Sequence, residues 1–304
     1  MRKSNKICFN LVGGIGNQLF IYFAGQYVEY FSEKKVFYRH ITLSKNDSIH
    51  TSSILDLDIE INLLRYSRAR QKLNTFMLML DRRIQTLLKK TSLADGVFPS
   101  NSYFPEHYGY DENLLSNIHK KQIYGYFQAA FYYEKTCPNL RFKFALKNPS
   151  EQFLKDSAVA TSILPIMLHI RRGDYVKNPQ IGILSRQYYE MAIEKVEAHI
   201  GERQIWVFSD DIDSARNLLN FLPDSRFRFI NTGYYNSDSE SLALMTKGLG
   251  LITSNSTFSY WAGVFSKNAD IIVVPSKWFR AQTDPEGLVP ESWTKVRSSW
   301  ANDE

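Results

Sequence analysis

The stretch ILPIMLHIRRGDYV, residues 163–176, joins an apolar run to two adjacent arginines, a glycine and an aspartate. An apolar run of this length with a polar end is typical of a buried strand in the middle of a parallel sheet. Arg171 and Arg172 stand where this strand ends. Because cations at the end of a buried strand are costly without a compensating anion, the stretch predicts a central strand and an anion site.

Strand and helix patterns alternate on both sides of this strand. Near the start, residues 6–12 predict a strand, residues 17–34 a helix with apolar residues at helical spacing, and residues 34–40 a second strand. After the central strand, four more strands are predicted, each separated from the next by a helical segment: QIWVFS, FRFIN, GLITSN and DIIVVPS. This alternation predicts an α/β fold made of two Rossmann-like halves with parallel sheets.

Composition and charge narrow the class of protein. The chain has 304 residues, 44% of them hydrophobic, and no uninterrupted apolar run that approaches a membrane span. Cys8 and Cys137 form no CxxC pair, and the apolar run near the start is too short for a signal peptide. The formal net charge of +6 suits an anionic ligand or membrane surface without requiring nucleic acid. We therefore expect a cytoplasmic protein, either free or peripheral on the inner face of the plasma membrane, that binds no nucleic acid.

One segment carries much of the excess positive charge. Residues 63–90 contain eight Arg or Lys residues against a single acid, Asp81, and their apolar residues repeat at helical spacing. Two interpretations remain open at this point. The segment is a basic amphipathic helix that touches anionic lipid, or it is a surface helix that packs its apolar stripe on its own domain.

Four polar clusters follow predicted strands, and ligands in open parallel sheets bind at the carboxyl ends of strands. We therefore expect these clusters to form ligand sites. Their candidate residues are Gly14, Gly16, Asn17 and Gln18 in the first cluster, His169, Arg171, Arg172 and Asp174 in the second, Ser209, Asp210 and Asp211 in the third, and Ser254, Asn255, Ser256, Thr257 and Phe258 in the fourth.

The clusters suit a diphosphate. A guanidinium offers a planar fork of donors that matches phosphate, and we expect one of Arg171 and Arg172 to bind the diphosphate while Asp174 or another acid holds the other. The polar run 254–257 precedes a predicted helix, whose free N–H groups form an anion site; simple capping of that helix would need only one of these residues.

A metal site is the alternative for the third cluster. Asp211 and Asp213 form a DxD pair, which in some glycosyl transfer sites holds a divalent cation, but an aspartate there also caps a helix. Since the arginines already offer a way to neutralise a diphosphate, we expect no metal.

Taken in order, these motifs resemble those of the bacterial alpha-1,2-fucosyltransferase family: GGIGNQLFIYFAGQ near the start, GYFQ at 125–128, HIRRGDY, FSDD and SNSTFSYWAGVFS. The resemblance implies a GT-B architecture, with two Rossmann-like domains facing across a cleft. It implies transfer of L-fucose from GDP-β-L-fucose to the 2-hydroxyl of a terminal galactose, with inversion and without a metal or other cofactor. It places Arg171, Arg172 and the run 254–259 at the donor site.

These expectations fix domains and roles. Residues 1–148 are expected to form an acceptor-side α/β domain and residues 149–304 a Rossmann-like GDP-sugar domain, with the last twenty or so residues a candidate for packing back on the first. Asn17 joins the two arginines as a catalytic candidate. Acceptor contacts are expected from Gln18, Tyr126 and Gln128, and the candidates for the general base are Glu106, Asp111, Glu29 and His107.

The natural acceptor is expected to be a galactose-terminated oligosaccharide or a lipid-linked glycan such as an O-antigen unit, made near the inner membrane. Two other functions stay open on the sequence. One is a fucosyl- or glycosyltransferase of different linkage or donor, and the other is a non-catalytic protein that binds sugars or anions.

Overall fold

The computed structural model describes residues 5–41, 53–90, 101–137, 144–231, 233–235 and 237–301. The described residues divide into two compact units. Unit 1 takes those within Met1–Leu55, Ile59–Pro138 and Pro285–Leu288, and unit 2 takes those within Asp56–Asp58, Asn139–Asp284 and Val289–Glu304.

Unit 1 contains a parallel sheet whose described strands follow the order β2-β1-β4-β3. Apolar residues alternate along β1, so that Ile7, Phe9 and Leu11 are buried in the middle of the sheet. The glycine turn after β1 leads into α1, which packs on β1 and on α3. The elements of this unit are β1 (Lys6–Leu11), α1 (Ile15–Phe31), β2 (Lys35–His40), α2 (Arg68–Lys90), β3 (Ser102–Tyr103), β4 (Gln122–Ile123) and α3 (Ala130–Thr136).

Unit 2 contains a second parallel sheet, with its described strands in the order β10-β9-β8-β5-β6-β7. Every residue of β5 is buried, as its apolar run predicts. The elements are α4 (Glu151–Ile163), β5 (Ile166–Ile170), α5 (Arg186–Ile200), β6 (Ile205–Ser209), α6 (Ile212–Leu218), β7 (Phe227–Asn231), α7 (Asp238–Met245), β8 (Gly250–Ile252), α8 (Thr257–Phe265), β9 (Ile271–Pro275) and β10 (Thr294–Val296).

The strand order of unit 2 fixes where a ligand belongs. From β5 the chain moves outward to β6 and β7, and then returns to β8 on the other side of β5. Open parallel sheets bind ligands at such a reversal point, beyond the carboxyl ends of the strands. The α/β fold with two parallel sheets predicted from the sequence is confirmed, and the HIRRGDY motif lies at the reversal point.

The division between the units differs from the expected boundary at residues 148 and 149. Leu57 forms an antiparallel bridge with Leu146, and Asp58 N–H donates to the Ala145 carbonyl, so this short segment of the first half belongs to unit 2. The last twenty or so residues, expected as a candidate for packing back on the first domain, are divided between the units. Residues 285–288 lie in unit 1, where Gly287 accepts from Ala130 N–H, whereas β10 extends the sheet of unit 2.

The helix α2 turns its apolar stripe away from unit 1. Leu78 is buried, but Phe76 is 63% exposed, and Leu73, Met77 and Leu80 are exposed as well. The interpretation in which this stripe packs on its own domain is therefore wrong. Within the ranges that the structure describes, no helix is both long and apolar enough to cross a membrane.

Candidate functional site

The two arginines after β5 have different surroundings. Arg171 is held by carboxylates, with Nη2 2.7 Å from Asp174 Oδ1 and Nη1 3.1 Å from Asp210 Oδ2. Its guanidinium also lies over the Tyr175 ring, 5.2 Å from the centroid. Burial favours the neutral form, yet Asp210 and Asp174 outweigh it and raise the pKa of Arg171 above its ordinary value. Arg171 is therefore a charge-compensated residue of the site wall.

Arg172 has no such compensation. Its side chain is buried, with the residue only 8% exposed, and its main-chain N–H donates to Asp210 Oδ1 at 2.9 Å. Among the described residues no carboxylate lies within ion-pair distance of its guanidinium, and Nε is buried without a hydrogen-bond partner. A buried, unpaired cation is strongly unfavourable unless a ligand brings the missing charge. The structure thus favours Arg172 as the anion-binding arginine.

Gly173 makes this arrangement possible. Its φ is +22°, and a Cβ built at this position would overlap Oδ2 of Asp210. Without a side chain at 173, Asp210 can approach closely enough to receive both the Arg172 N–H and the Arg171 guanidinium. The glycine of the RRGD sequence is therefore a steric requirement.

The polar run after β8 meets the end of β5. His169 Nδ1 lies 2.8 Å from Ser254 Oγ and 3.0 Å from Ser259 Oγ. Ser256 caps α8 and accepts from Phe258 N–H at 3.3 Å. Since β5 and β8 are neighbours in the sheet, the start of α8, including the half-buried Thr257, lies at the same sheet edge as the arginines, where its first N–H groups favour an anion.

Asn255 is predicted to contact the donor, but its side chain is buried and its amide binds main-chain carbonyls of the protein. Its Nδ2 donates to the carbonyls of Gly182 at 3.1 Å, Trp278 at 3.2 Å and Ile181 at 3.3 Å. The amide thereby joins the loop after β5 and the loop after β9 to the start of α8. Its Oδ1 is buried and has no hydrogen-bond partner among the described residues.

His169 is an uncharged member of the site. Complete burial, helped by repulsion from Arg171, lowers its pKa from 6.5 to about 3. The ring contacts that of Phe258, with centroids 5.5 Å apart. A neutral imidazole adds no positive charge beside the arginines, and it leaves Nδ1 free to share hydrogen bonds with the two serines.

The polar residues of the FSDD cluster have different structural roles. Ser209 Oγ accepts from Asp211 N–H at 3.1 Å, which shapes the turn after β6. Asp211 caps α6, accepting from Ser214 N–H at 3.0 Å and from Ser214 Oγ at 2.7 Å, and these bonds lower its pKa. Asp210 is the partner of the arginines. Over the described part of the chain, no group of three or more His, Cys, Asp or Glu side chains is placed to hold a metal ion.

In unit 1, the glycine turn and the GYFQ motif meet. Gln128 Nε2 donates to Asn17 Oδ1 at 3.1 Å, and Gln128 Oε1 is buried with no partner among the described residues. The rings of Tyr126 and Tyr108 are in contact, with centroids 5.4 Å apart. Three of the expected catalytic and acceptor residues thus lie close together at the carboxyl edge of this sheet: Asn17 in the first turn of α1, and Tyr126 and Gln128 in the loop after β4.

Gln18 has a different role from the acceptor contact predicted for it. The side chain is fully buried, and its Nε2 donates to the Gly13 carbonyl at 2.8 Å. Its Oε1 accepts from Ile54 N–H at 3.4 Å. Gln18 therefore fixes the turn at Gly13 and Gly14, from which α1 begins with Gly16 and Asn17 in its first turn.

The backbone conformation at Phe127 has no signal in the sequence. Its φ is +53°, a left-handed conformation that is rare for a bulky residue and costs of order 1–3 kcal/mol. The buried ring packs on Phe9 and Tyr132, with both centroid separations at 5.9 Å. This packing holds the strained residue between Tyr126 and Gln128 and sets the directions in which these two side chains leave the chain.

The four base candidates lie in different surroundings. Glu29 accepts from Val36 N–H at the start of β2, about 18 Å along α1 from Asn17, so it is far from the carboxyl edge of the sheet. Asp111 accepts from the Tyr103 hydroxyl at 2.7 Å and from Asn113 N–H at 3.0 Å. Glu106 and His107 are exposed on the loop after β3.

Comparison with known proteins gives consistent results. The family model described as Glycosyl transferase family 11 matches residues 106–297. Among characterised proteins, the O-antigen biosynthesis glycosyltransferase WbnK of Escherichia coli is 29% identical over 319 residues, covering 94% of this chain and 99% of that protein. An alpha-1,2-colitosyltransferase of Escherichia coli is 28% identical over 296 residues, covering 94% of this chain and 97% of its own length.

A solved structure shares the fold at low sequence identity. The crystal structure of NodZ alpha-1,6-fucosyltransferase, soaked with GDP-fucose, superposes with a TM-score of 0.50 at 11% identity, covering 88% of this chain and 93% of that chain. This likeness concerns the fold alone, and it agrees with the expected GT-B class.

The neutral His169 predicts a pH dependence of stability. An unfolded histidine binds a proton near pH 6.5, whereas folded His169 does so only near about 3. The stability that the protein gains from neutral, buried His169 is therefore fully present above about pH 6.5. As the pH falls below that value, the free energy of unfolding decreases by up to about 1.4 kcal/mol per pH unit.

The variant His169→Asn keeps an acceptor near the position of Nδ1 and cannot titrate. We expect its melting temperature to fall less than that of the wild type between about pH 7 and about pH 4.5. Parallel curves for the two proteins would contradict the buried, neutral state of His169.

Proposed function

The chain belongs to glycosyl transferase family 11, and on this basis we propose that it transfers L-fucose from GDP-β-L-fucose to the 2-hydroxyl of a terminal galactose. The coarser activity, glycosyl transfer, follows from the family. The donor, the acceptor and the linkage are the proposal. The observation that carries it is the buried side chain of Arg172, which forms no ion pair among the described residues.

The role that we propose for Arg172 is to stabilise the leaving group. When a GDP-sugar reacts, the bond between the sugar C1 and the β-phosphate oxygen breaks, and negative charge grows on the diphosphate. A preorganised cation in a site with little water stabilises that charge more in the transition state than in the bound donor. Arg172 supplies the cation, and the N–H groups at the start of α8 supply further donors beside it.

The names of the relatives indicate which sugar the donor carries. One relative is named a colitosyltransferase, and colitose is L-fucose without its 3-hydroxyl. The crystals of a fold neighbour, an alpha-1,6-fucosyltransferase, were soaked with GDP-fucose. These names support a donor that carries a 6-deoxy-L-sugar on GDP. We favour fucose, because the ordered motifs of this chain resemble those of the alpha-1,2-fucosyltransferases.

The reaction proceeds in one displacement with inversion at the anomeric carbon. The acceptor 2-hydroxyl attacks C1 as GDP departs, and its proton passes to a general base. Of the four candidates, we favour Glu106 and His107, which are exposed on the loop after β3, over Glu29, which lies at the far end of α1. Asn17 and Gln128 orient the acceptor sugar, and the Tyr108–Tyr126 pair offers it an aromatic face.

The setting we propose is the assembly of a bacterial surface glycan. A relative acts in O-antigen biosynthesis by its name, so a lipid-linked O-antigen unit is the favoured acceptor, with the enzyme on the cytoplasmic side of the membrane. Transfer without a metal is favoured because the arginines provide the positive charge and because Asp211 uses its carboxylate to cap α6.

Replacement of Arg172 tests the donor site. We expect Arg172→Ala to lower kcat/KM about a hundredfold, or by about 3 kcal/mol, because the developing charge loses its cation. Arg172→Lys should recover only part of the activity, since lysine keeps the charge but loses the bidentate fork. GDP should raise the melting temperature of the wild type and raise that of Arg172→Ala much less.

Arg171→Ala is the matched control. Arg171 is ion-paired, so its loss leaves Asp210 uncompensated and should lower the melting temperature, whereas loss of the unpaired Arg172 should leave the melting temperature unchanged or higher. Wild-type turnover by Arg172→Ala, together with a normal GDP shift, would remove the basis of the proposal.

The product defines the reaction. Incubation with GDP-fucose and lactose should release GDP and a trisaccharide, and NMR should show a fucose on the galactose 2-hydroxyl. We expect activity in the presence of EDTA. A different linkage, or a preference for GDP-colitose, would identify a transferase of another specificity. Tight binding of GDP-fucose without any product over a panel of galactosides would identify a binding protein instead.

A further inference from the structure

The exposed side of α2 is apolar and continuous. With a rotation of 100° per residue, Leu73, Phe76, Met77 and Leu80 fall within an arc of about 100° along successive turns. All four side chains are exposed. Exposed large apolar residues scattered singly are common, but a contiguous patch marks a surface that binds a partner.

The opposite side of the helix is the one that packs on unit 1, and it is largely polar. Leu78 is its one buried apolar side chain within the described part of α2. Gln71 and Asn74 are half-buried on this side, and Gln85 Nε2 donates to the Ser102 carbonyl at 3.1 Å. The helix thus turns its more apolar side outward, which its fold alone does not explain.

Basic residues flank the exposed apolar arc on both sides. Arg70 lies on one side, about 60° from Leu73, and Lys72 and Arg83 lie on the other, about 80° to 100° away. All three are exposed. The whole segment 63–90 has Asp81 as its only acid. An apolar strip between two rows of cations matches a bilayer surface with anionic head groups, into which such a helix sinks its apolar side.

We propose that α2 docks this enzyme on an anionic membrane surface, lying in the plane of the interface. Leu73, Phe76, Met77 and Leu80 enter the acyl region, while Arg70, Lys72 and Arg83 contact the lipid phosphates. A second copy of the chain fits the surface less well, because pairing two such faces would bring rows of like charges together. The proposal concerns a surface of unit 1 and does not depend on the donor or acceptor sugar.

Charge neutralisation tests the electrostatic part. The intact protein is sedimented with vesicles of equimolar phosphatidylglycerol and phosphatidylethanolamine. The triple variant Arg70→Gln/Lys72→Gln/Arg83→Gln should bind on the order of a hundredfold more weakly, at about fivefold per charge. The matched control, Lys155→Gln/Lys195→Gln/Lys277→Gln, removes the same charge from exposed positions of unit 2, and it should bind as the wild type does.

Changes in the apolar strip test insertion. Phe76→Ser/Leu80→Ser removes two exposed side chains, so it should keep the melting temperature and the transferase activity on a soluble acceptor while losing most vesicle binding. In a further variant, Phe76→Trp, brominated lipids should quench the added tryptophan. The five native tryptophans are buried in unit 2, so the wild type supplies a constant background.

Three results would overturn the proposal. The first is that the wild-type protein does not bind anionic vesicles. The second is that it binds vesicles of pure phosphatidylcholine equally well. The third is a dimer in sedimentation velocity that Phe76→Ser/Leu80→Ser converts to a monomer while vesicle binding is absent, which would assign the surface to a second copy of the chain. None of these results bears on the proposed sugar transfer, which is measured separately with the soluble acceptor.

Discussion

One carboxylate organises the end of β5, where we propose that the donor binds. Asp210 binds the main-chain N–H of Arg172 through Oδ1 and the guanidinium of Arg171 through Oδ2. Both of its oxygens are therefore in use, and the buried side chain of Arg172 forms no ion pair among the described residues. The hydrogen bond from its main-chain N–H anchors Arg172 at the end of β5. The proposed binding of an anion by Arg172 rests on this unequal sharing.

The surrounding residues preserve that imbalance. Gly173 leaves room for the Asp210 carboxylate, and burial keeps His169 neutral. The Asp211 carboxylate caps the start of α6 by accepting from Ser214 N–H. As a result, none of these three residues forms an ion pair with Arg172 or crowds its side chain. Buried groups left without a partner are typical of functional sites.

The sequence was sufficient for the fold class and for the general position of the site. The apolar residues before His169 required a central strand, and polar clusters after successive strands had to meet at one sheet edge. It could not separate Arg171 from Arg172, because the two are adjacent and chemically identical. They differ in that Asp174 and Asp210, the latter from the turn after β6, both hold the guanidinium of Arg171. Gln18 and Asn255 look like ligand donors in a sequence, and only their contacts show that they fix loops. The outward side of α2 was equally hidden, since periodicity reveals that a stripe exists but not what it faces.

The Asn255 amide has a consequence for how the donor site meets its ligand. Its three hydrogen bonds tie the loops around residues 181–182 and 278 to the first turn of α8. These two loops are therefore already ordered in the folded protein. Little conformational entropy then remains to be lost when the proposed nucleotide binds beside them. Affinity at such a site is set by the ligand's shape and charge and hardly at all by loop ordering, and a poorly matched nucleotide gains nothing from loop adjustment.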